Sequence, residues 1–242
     1  MNIYTYYGET NNPHGQQELL DIWLSNWRGK GWSPHILTKD MAKEAPLHDE
    51  YVDFVNRIHS RINKNNTFRD NTYAMEAQRE IVAFTLIEQP SFISDYDVFN
   101  INYDTTPPED KVHWRDALCT CFASGGSTGW TKYIQWIFTR EQQILEGCVE
   151  EYNRSNRDCF HDQDFLIFAL EGITSPPSPN KPVYMQGVPF YEYRDVNSPV
   201  PLERLDGNSR TLHISHRSVS EHPGYSDLTS WEKRIQLAKD CL

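Results

Sequence analysis

Asp95 and Asp97 stand one residue apart in the stretch Ser91-Phe92-Ile93-Ser94-Asp95-Tyr96-Asp97-Val98-Phe99. An apolar run enters the pair and another leaves it. On an extended segment, residues i and i+2 point to one side. Two carboxylates on one side, at the end of a buried strand, carry a steep desolvation cost unless a cation meets them. Mg²⁺ and Mn²⁺ are hard cations that take carboxylate oxygens and share their shell with phosphates. This spacing therefore points to a divalent metal holding a diphosphate. The plainer reading of the same tripeptide is an Asp-rich turn after a strand.

Two more polar clusters follow. His161-Asp162-Gln163-Asp164 precedes the apolar segment Phe165 to Leu170, and His213-Ile214-Ser215-His216-Arg217 closes a β-prone segment. Asp162 and Asp164 suit the start of a helix, where a carboxylate caps free N–H groups and meets the positive end of the dipole. In open α/β sheets, ligands bind beyond the carboxyl ends of the strands. The first and third clusters both sit at such ends. Asp95 and Asp97 with either His213 or His216 then form a metal set, completed by diphosphate oxygens and water.

The elements that must position these residues are legible from periodicity. Asn2 to Tyr7 is β-prone and stops at Gly8. Leu19, Leu20, Trp23, Leu24 and Trp27 recur at helical spacing, and Ser33 to Thr38 reads as a second strand. Strand, helix, strand predicts a parallel pair. Helices are expected from about Leu47 to Ile62 and from about Asn71 to Glu88, then the strand that ends at Asp95. Ala117 to Ala123 reads as a strand, followed by one long helix that includes Tyr133 and Leu145. Val183 to Tyr193 reads as a hairpin or two strands, Thr211 to Ser215 as a late strand, and the tail from Thr229 as a final helix. The fold class is α/β, with a mainly parallel central sheet flanked by helices and a small C-terminal mixed part. With 242 residues and no dividing linker, one domain is expected. Residues 1–100 form its nucleotide-binding half and 101–242 its acceptor-side half.

The net charge of −11 argues against binding to nucleic acid or an anionic membrane surface. No run reaches the roughly 18 apolar residues of a membrane span. Met1-Asn2-Ile3-Tyr4 does not open a signal peptide, and the 5 cysteines show no CxxC spacing. A cytoplasmic location with free thiols is the expectation.

Taken in order, the motifs resemble the GT-A nucleotide-sugar glycosyltransferases. Asp95-Tyr96-Asp97 is similar to their metal-binding DxD, and Asp162-Gln163 to the Asp-Gln pair that faces the donor sugar in glycogenin-like members. His213 or His216 resembles the late histidine that completes the metal shell. The longer pattern ending Lys-Pro-Trp around that histidine is absent here, as is the glycine pair that many relatives carry before the DxD. The resemblance implies a GT-A-like fold and transfer of a sugar from a nucleotide-diphosphate donor to a glycan or other hydroxyl acceptor. It implies Mn²⁺ or Mg²⁺ as the metal, with UDP ranked ahead of GDP in the donor. Thr5, Tyr6 and Tyr7 would meet the nucleotide, and Arg79 and Asp95 its phosphates or sugar. Asp162, Gln163 and Asp164 would be the catalytic group, as general base in an inverting enzyme or beneath the sugar ring in a retaining one.

Two other classes compete. A sugar-activating nucleotidyltransferase should carry a basic residue in the Gly-rich loop after the first strand, and Gly8-Glu9-Thr10-Asn11-Asn12 has none. A non-catalytic carbohydrate-binding protein would keep the aromatic and acidic residues without a nucleotide site. No P-loop or GxGxxG is present.

Overall fold

The computed structural model describes residues 1–8, 13–62, 72–104, 110–114, 121–157, 160–170, 183–184, 190–192, 200–201, 209–214 and 230–242. In chain order the elements begin with strand β1 (Asn2–Tyr7), helix α1 (Pro13–Gly29), strand β2 (Ser33–Thr38) and the short helix α2 (Lys39–Lys43). Helices α3 (His48–Ile62) and α4 (Thr72–Ala83) follow, then strands β3 (Ser91–Ser94), β4 (Val98–Asn100), β5 (Val112–Trp114) and β6 (Phe122–Gly125). Helices α5 (Ser127–Phe138), α6 (Glu141–Ser155) and α7 (Asp162–Ala169) come next. Strands β7 (Val183–Tyr184), β8 (Phe190–Glu192), β9 (Val200–Pro201) and β10 (Thr211–His213) precede the last helix, α8 (Ser230–Cys241).

The opening β1-α1-β2 unit matches its expectation. β1 and β2 are parallel, from Asn2 opposite Ser33 to Tyr7 opposite Thr38. The turn between α1 and β2 needs glycine at Gly31, whose φ is +81°. β1 also pairs in parallel with β3, Tyr4 opposite Ile93.

Among the described residues, seven strands form the main sheet in the order β2-β1-β3-β6-β5-β8-β7. It is mixed rather than mainly parallel. β1/β2, β1/β3 and β5/β8 are parallel, whereas β3/β6, β5/β6 and β7/β8 are antiparallel. The regular alternation of strand and helix ends at β3. From there the described elements run β3, β4, β5, β6 without a helix between them. A parallel return needs a long crossover, and a strand that comes back without a crossover helix pairs antiparallel. A second sheet, β4-β10-β9, is also mixed.

Each face of the main sheet carries its own core. Ile93 packs with Phe54, Ile58, Ile81, Trp130, Ile134 and Phe165, on the side of α3 to α7. Its neighbour Phe92 points the other way, into a cluster with Trp23, Trp27, Leu212 and Ile235 from α1, β10 and α8. That opposition is the period-2 alternation of a strand buried on both faces.

The long helix expected across Tyr133 and Leu145 is two helices. Thr139 Oγ1 donates to the Trp136 carbonyl at 2.7 Å and its N–H donates to the same oxygen at 3.0 Å, which closes α5 before α6 begins. The helix expected to reach Glu88 ends at Ala83 and tightens into a 3₁₀ turn, Phe84–Leu86, ahead of Pro90. β4, β5 and β9 were not among the expected strands. The hairpin is present as β7 and β8, Tyr184 opposite Tyr191. The expected strand from Ala117 is described only from Cys121 onward, and the expected Pro-rich loop Thr174 to Pro182 lies outside the described residues. Cys121, Cys148 and Cys241 are free thiols, and Cys119 and Cys159 lie outside the described residues. No described helix is long and apolar enough to cross a membrane.

Candidate metal centre

β3 delivers Asp95 to the edge of the core and the chain then turns. The Val98 N–H donates to the Asp95 carbonyl at 3.1 Å, closing a β-turn with Tyr96 and Asp97 at its corners. The two carboxylates therefore approach through a turn and not through strand alternation. The turn is held on both sides. The Asp95 N–H donates to the Cys121 carbonyl at 2.9 Å, and the Ile214 N–H donates to the Asp97 carbonyl at 2.9 Å.

β10 brings the histidine. It runs antiparallel to β4, which starts right after the turn, with His213 opposite Val98. That register sets His213 beside Asp97, with Nε2 at 3.5 Å from Asp97 Oδ1. One ligand atom each from Asp95, Asp97 and His213 lie within 4.8 Å of one another. Two carboxylate oxygens and an imidazole nitrogen are a donor set that suits Mn²⁺ or a similar divalent cation.

The two carboxylates are electrostatically unequal. Burial and the charge of Asp97 push Asp95 up to about 7, and Asp162 adds to the rise, against the pull of His213 and Arg234. Burial also penalises ionised Asp97, but His213 and Arg234 outweigh it and hold Asp97 at about 2. Arg234, from α8, is buried and donates through Nη2 to Asp97 Oδ2. Asp97 Oδ1 is buried and accepts no hydrogen bond among the described residues. His213 Nε2 lies 3.5 Å from this oxygen, and a cation at Oδ1 would add to the compensation of a buried ionised carboxylate. The residues thus fit a divalent metal.

Helix α1 braces the same segment from one face. Trp23 Nε1 donates to Ser94 Oγ and Trp27 Nε1 to the Val98 carbonyl, both at 3.0 Å. Asn26 Nδ2 donates to the Asn100 carbonyl at 3.0 Å while Asn26 Oδ1 accepts from the Asn100 N–H at 2.7 Å. Residues at i, i+3 and i+4 on one helix stripe thus grip the backbone before and after the turn.

The other expected site residues fall into place unequally. Asp162 is buried at the first position of α7, and its charge contributes to the shift of Asp95. Gln163 follows it, half-buried. Asp164 is committed elsewhere: it accepts the His161 N–H at 2.8 Å and pairs with Arg157 through both oxygens, at 2.9 and 2.5 Å. That is the capping role of an acidic residue at a helix start. Thr5, Tyr6 and Tyr7 close β1, and carrying the Tyr4–Ile93 register two residues on sets Tyr6 alongside Asp95. Thr5 is fully buried, and its Oγ1 has no hydrogen-bond partner among the described residues. Tyr6 is buried and Tyr7 half-buried. Arg79 is half-buried on α4, and the charges acting most strongly on Asp95 do not include it. His216 and Arg217 lie outside the described residues.

Arg234, Asn26 and Asn100 were not anticipated. A signal existed for the first two. Trp231, Arg234, Ile235 and Ala238 share the i, i+3, i+4, i+7 stripe of α8, so Arg234 sits on the buried face of its helix. Asn26 sits likewise between Trp23 and Trp27. A polar side chain on an apolar stripe must find a buried partner. No protein-family model matches this chain, and no curated protein matches it either.

Proposed function

We propose that this protein is a divalent-metal-dependent glycosyltransferase of GT-A-like fold, moving a sugar from a nucleotide-diphosphate donor, UDP-linked ahead of GDP-linked, to a hydroxyl acceptor. One observation carries the reading: Asp95 and Asp97 from one turn and His213 from a distant strand present ligand atoms within 4.8 Å of one another. They do so where β3 ends, beside the end of β1, which is where open α/β sheets bind ligands. Mn²⁺ or Mg²⁺ at Asp95, Asp97 and His213 would act as a Lewis acid toward the negative charge that gathers on a leaving diphosphate.

The remaining residues divide the work. Thr5, Tyr6 and Tyr7, at the end of β1, would meet the nucleotide. Arg79 would approach phosphate or sugar from α4. Asp162 would act on the donor sugar or the acceptor hydroxyl, a role supported by its burial and by the effect of its charge on Asp95. A general base of this kind contributes about 10²- to 10⁴-fold. Gln163 flanks it. Asp164 serves by capping α7 and thereby holding Asp162 at the helix start.

Thermal unfolding with UDP, GDP, CMP and dTDP, each with and without Mn²⁺, tests the proposal. A ligand that binds only the folded state raises the melting temperature by mass action. The expected result is a shift with one nucleotide, UDP first, that requires Mn²⁺ and disappears in Asp97→Asn. A shift that ignores Mn²⁺, or no shift in folded protein, overturns the reading.

A further inference from the structure

The contact between Arg234 and Asp97 belongs to a closed ring of three hydrogen bonds. The Asp97 carbonyl accepts from the Ile214 N–H at 2.9 Å. The Ile214 carbonyl accepts from Arg234 Nε at 3.0 Å. Arg234 Nη2 returns to Asp97 Oδ2. All three residues are buried. The guanidinium also lies over the Trp231 ring, 4.9 Å from its centroid. Two of the ring members bear directly on the candidate ligands: Asp97 is one, and Ile214 is bonded in sequence to another, His213.

We propose that Arg234 is a positioning residue of the metal centre: it holds Asp97 by Oδ2 so that Oδ1 is left for the metal, and through the Ile214 carbonyl it fixes the strand end that carries His213. This rests on the reading of Asp95, Asp97 and His213 as metal ligands, and it makes the C-terminal helix part of the site.

A rival role is that of a stand-in cation, which neutralises Asp97 and yields when a metal arrives. The two roles differ in sign. As a point charge, Arg234 repels a divalent ion, and removing it strengthens metal binding. As a positioner, its loss lets Asp97 and the β10 end relax, and metal binding weakens. The geometry favours the second. Nε is committed to a backbone carbonyl and one face to Trp231, so leaving Asp97 sacrifices a buried, charge-assisted arrangement. The oxygen nearest His213 is Oδ1, the one Arg234 leaves open.

Mn²⁺ affinity, read from the electron paramagnetic resonance signal of free Mn²⁺ without nucleotide, separates the two. Arg234→Lys keeps the charge, but an ammonium lacks the rigid fork that spans the Ile214 carbonyl and Asp97. Arg234→Met removes both. Supporting groups around a metal typically change its affinity about 10- to 100-fold when lost, so Kd should rise roughly tenfold or more in Arg234→Met and several-fold in Arg234→Lys. Unchanged or tighter binding in either folded variant overturns the proposal. If Arg234→Met does not fold, by circular dichroism, Arg234→Lys decides. A crystal structure of the wild-type protein with Mn²⁺ decides independently. Asp97 bound through Oδ1 with Arg234 still on Oδ2 supports the proposal, and a displaced Arg234 overturns it. Wild-type protein that binds no more Mn²⁺ than Asp97→Asn overturns the metal reading and this inference with it. Wild-type binding with unaffected Arg234 variants overturns this inference alone.

Discussion

The side chain of Asn26 clasps the backbone of Asn100 in both directions, giving a hydrogen bond to its carbonyl at 3.0 Å and taking one from its N–H at 2.7 Å. Asn100 in turn accepts the Tyr103 N–H on Oδ1 at 2.7 Å and gives Nδ2 to the Tyr103 carbonyl at 3.1 Å. The end of β4 is therefore tied by amides on both sides, and β4 is the strand that sets the register of His213.

Asn26→Ala removes both halves of the clasp and leaves a part-buried N–H and C=O unpaired. The cost should be about 2 to 3 kcal/mol, since each orphaned group costs roughly 1 to 3 kcal/mol and some rehydrate. Urea denaturation measures it. A loss under about 0.5 kcal/mol would show that the clasp is replaceable by water.

Metal-free Asp95→Asn should be more stable than wild type near neutral pH and indistinguishable from it in acid. The folded protein holds Asp95 at about 7 against an ordinary value of 3.8, chiefly through burial and Asp97. Between those values the unfolded chain has released the proton and the folded chain retains it. This group's contribution to stability therefore falls as pH rises from 3.8 to about 7 and stays low above that. Asparagine removes the ionisation and so the fall. Melting curves in EDTA across pH check it, and a variant less stable than wild type near neutrality would refute it. With Mn²⁺ added the order should reverse, because only wild type keeps the ligand.

Asp162→Asn and Asp164→Asn should separate chemistry from architecture. Asp162→Asn is expected to lower transfer about 100-fold or more with little change in melting, as a lost general base does. Asp164→Asn weakens a helix cap and a partly exposed ion pair, a cost of about 1 kcal/mol, and should keep activity within a few-fold. Equal activity losses would return Asp164 to the catalytic group.

Tyr51→Phe probes the support beneath α7. Tyr51 donates to Gln78 Oε1 at 2.9 Å, and Gln78 Nε2 donates to the Phe160 carbonyl at 3.2 Å, two residues before Asp162. Phenylalanine keeps the packing and strands a buried acceptor, for a loss of about 1 to 2 kcal/mol by urea denaturation. A neutral result would place water on Gln78.

Gly147→Ala tests the packing of α6 on α7. A Cβ at Gly147 would stand 2.6 Å from the Phe168 ring. Overpacking of this kind costs about 1 to 3 kcal/mol, and a stabilising outcome would contradict the close approach.

Local spacing alone identified much of this protein. The alternating β1 and β2, the Trp23-Trp27 stripe of α1, the acidic start of α7 and the Asp95-Tyr96-Asp97 motif were all readable, because helical and strand periodicities act over a few residues. The approach of His213 to Asp97 came from the antiparallel register of β4 and β10, which joins residues more than a hundred positions apart. The same distance hid Arg234: its helix stripe showed that it was buried, and nothing in the stripe named Asp97 as the group it meets. The turn at Tyr96 and Asp97 was one of the two readings the tripeptide offered; the local Asp95–Val98 bond closes it, and bonds to Cys121 and Ile214 anchor it from outside. Antiparallel β6 was decided by the route of the chain beyond β3. Periodicity reports which side of an element faces the core, whereas pairing and convergence depend on which distant surface arrives there.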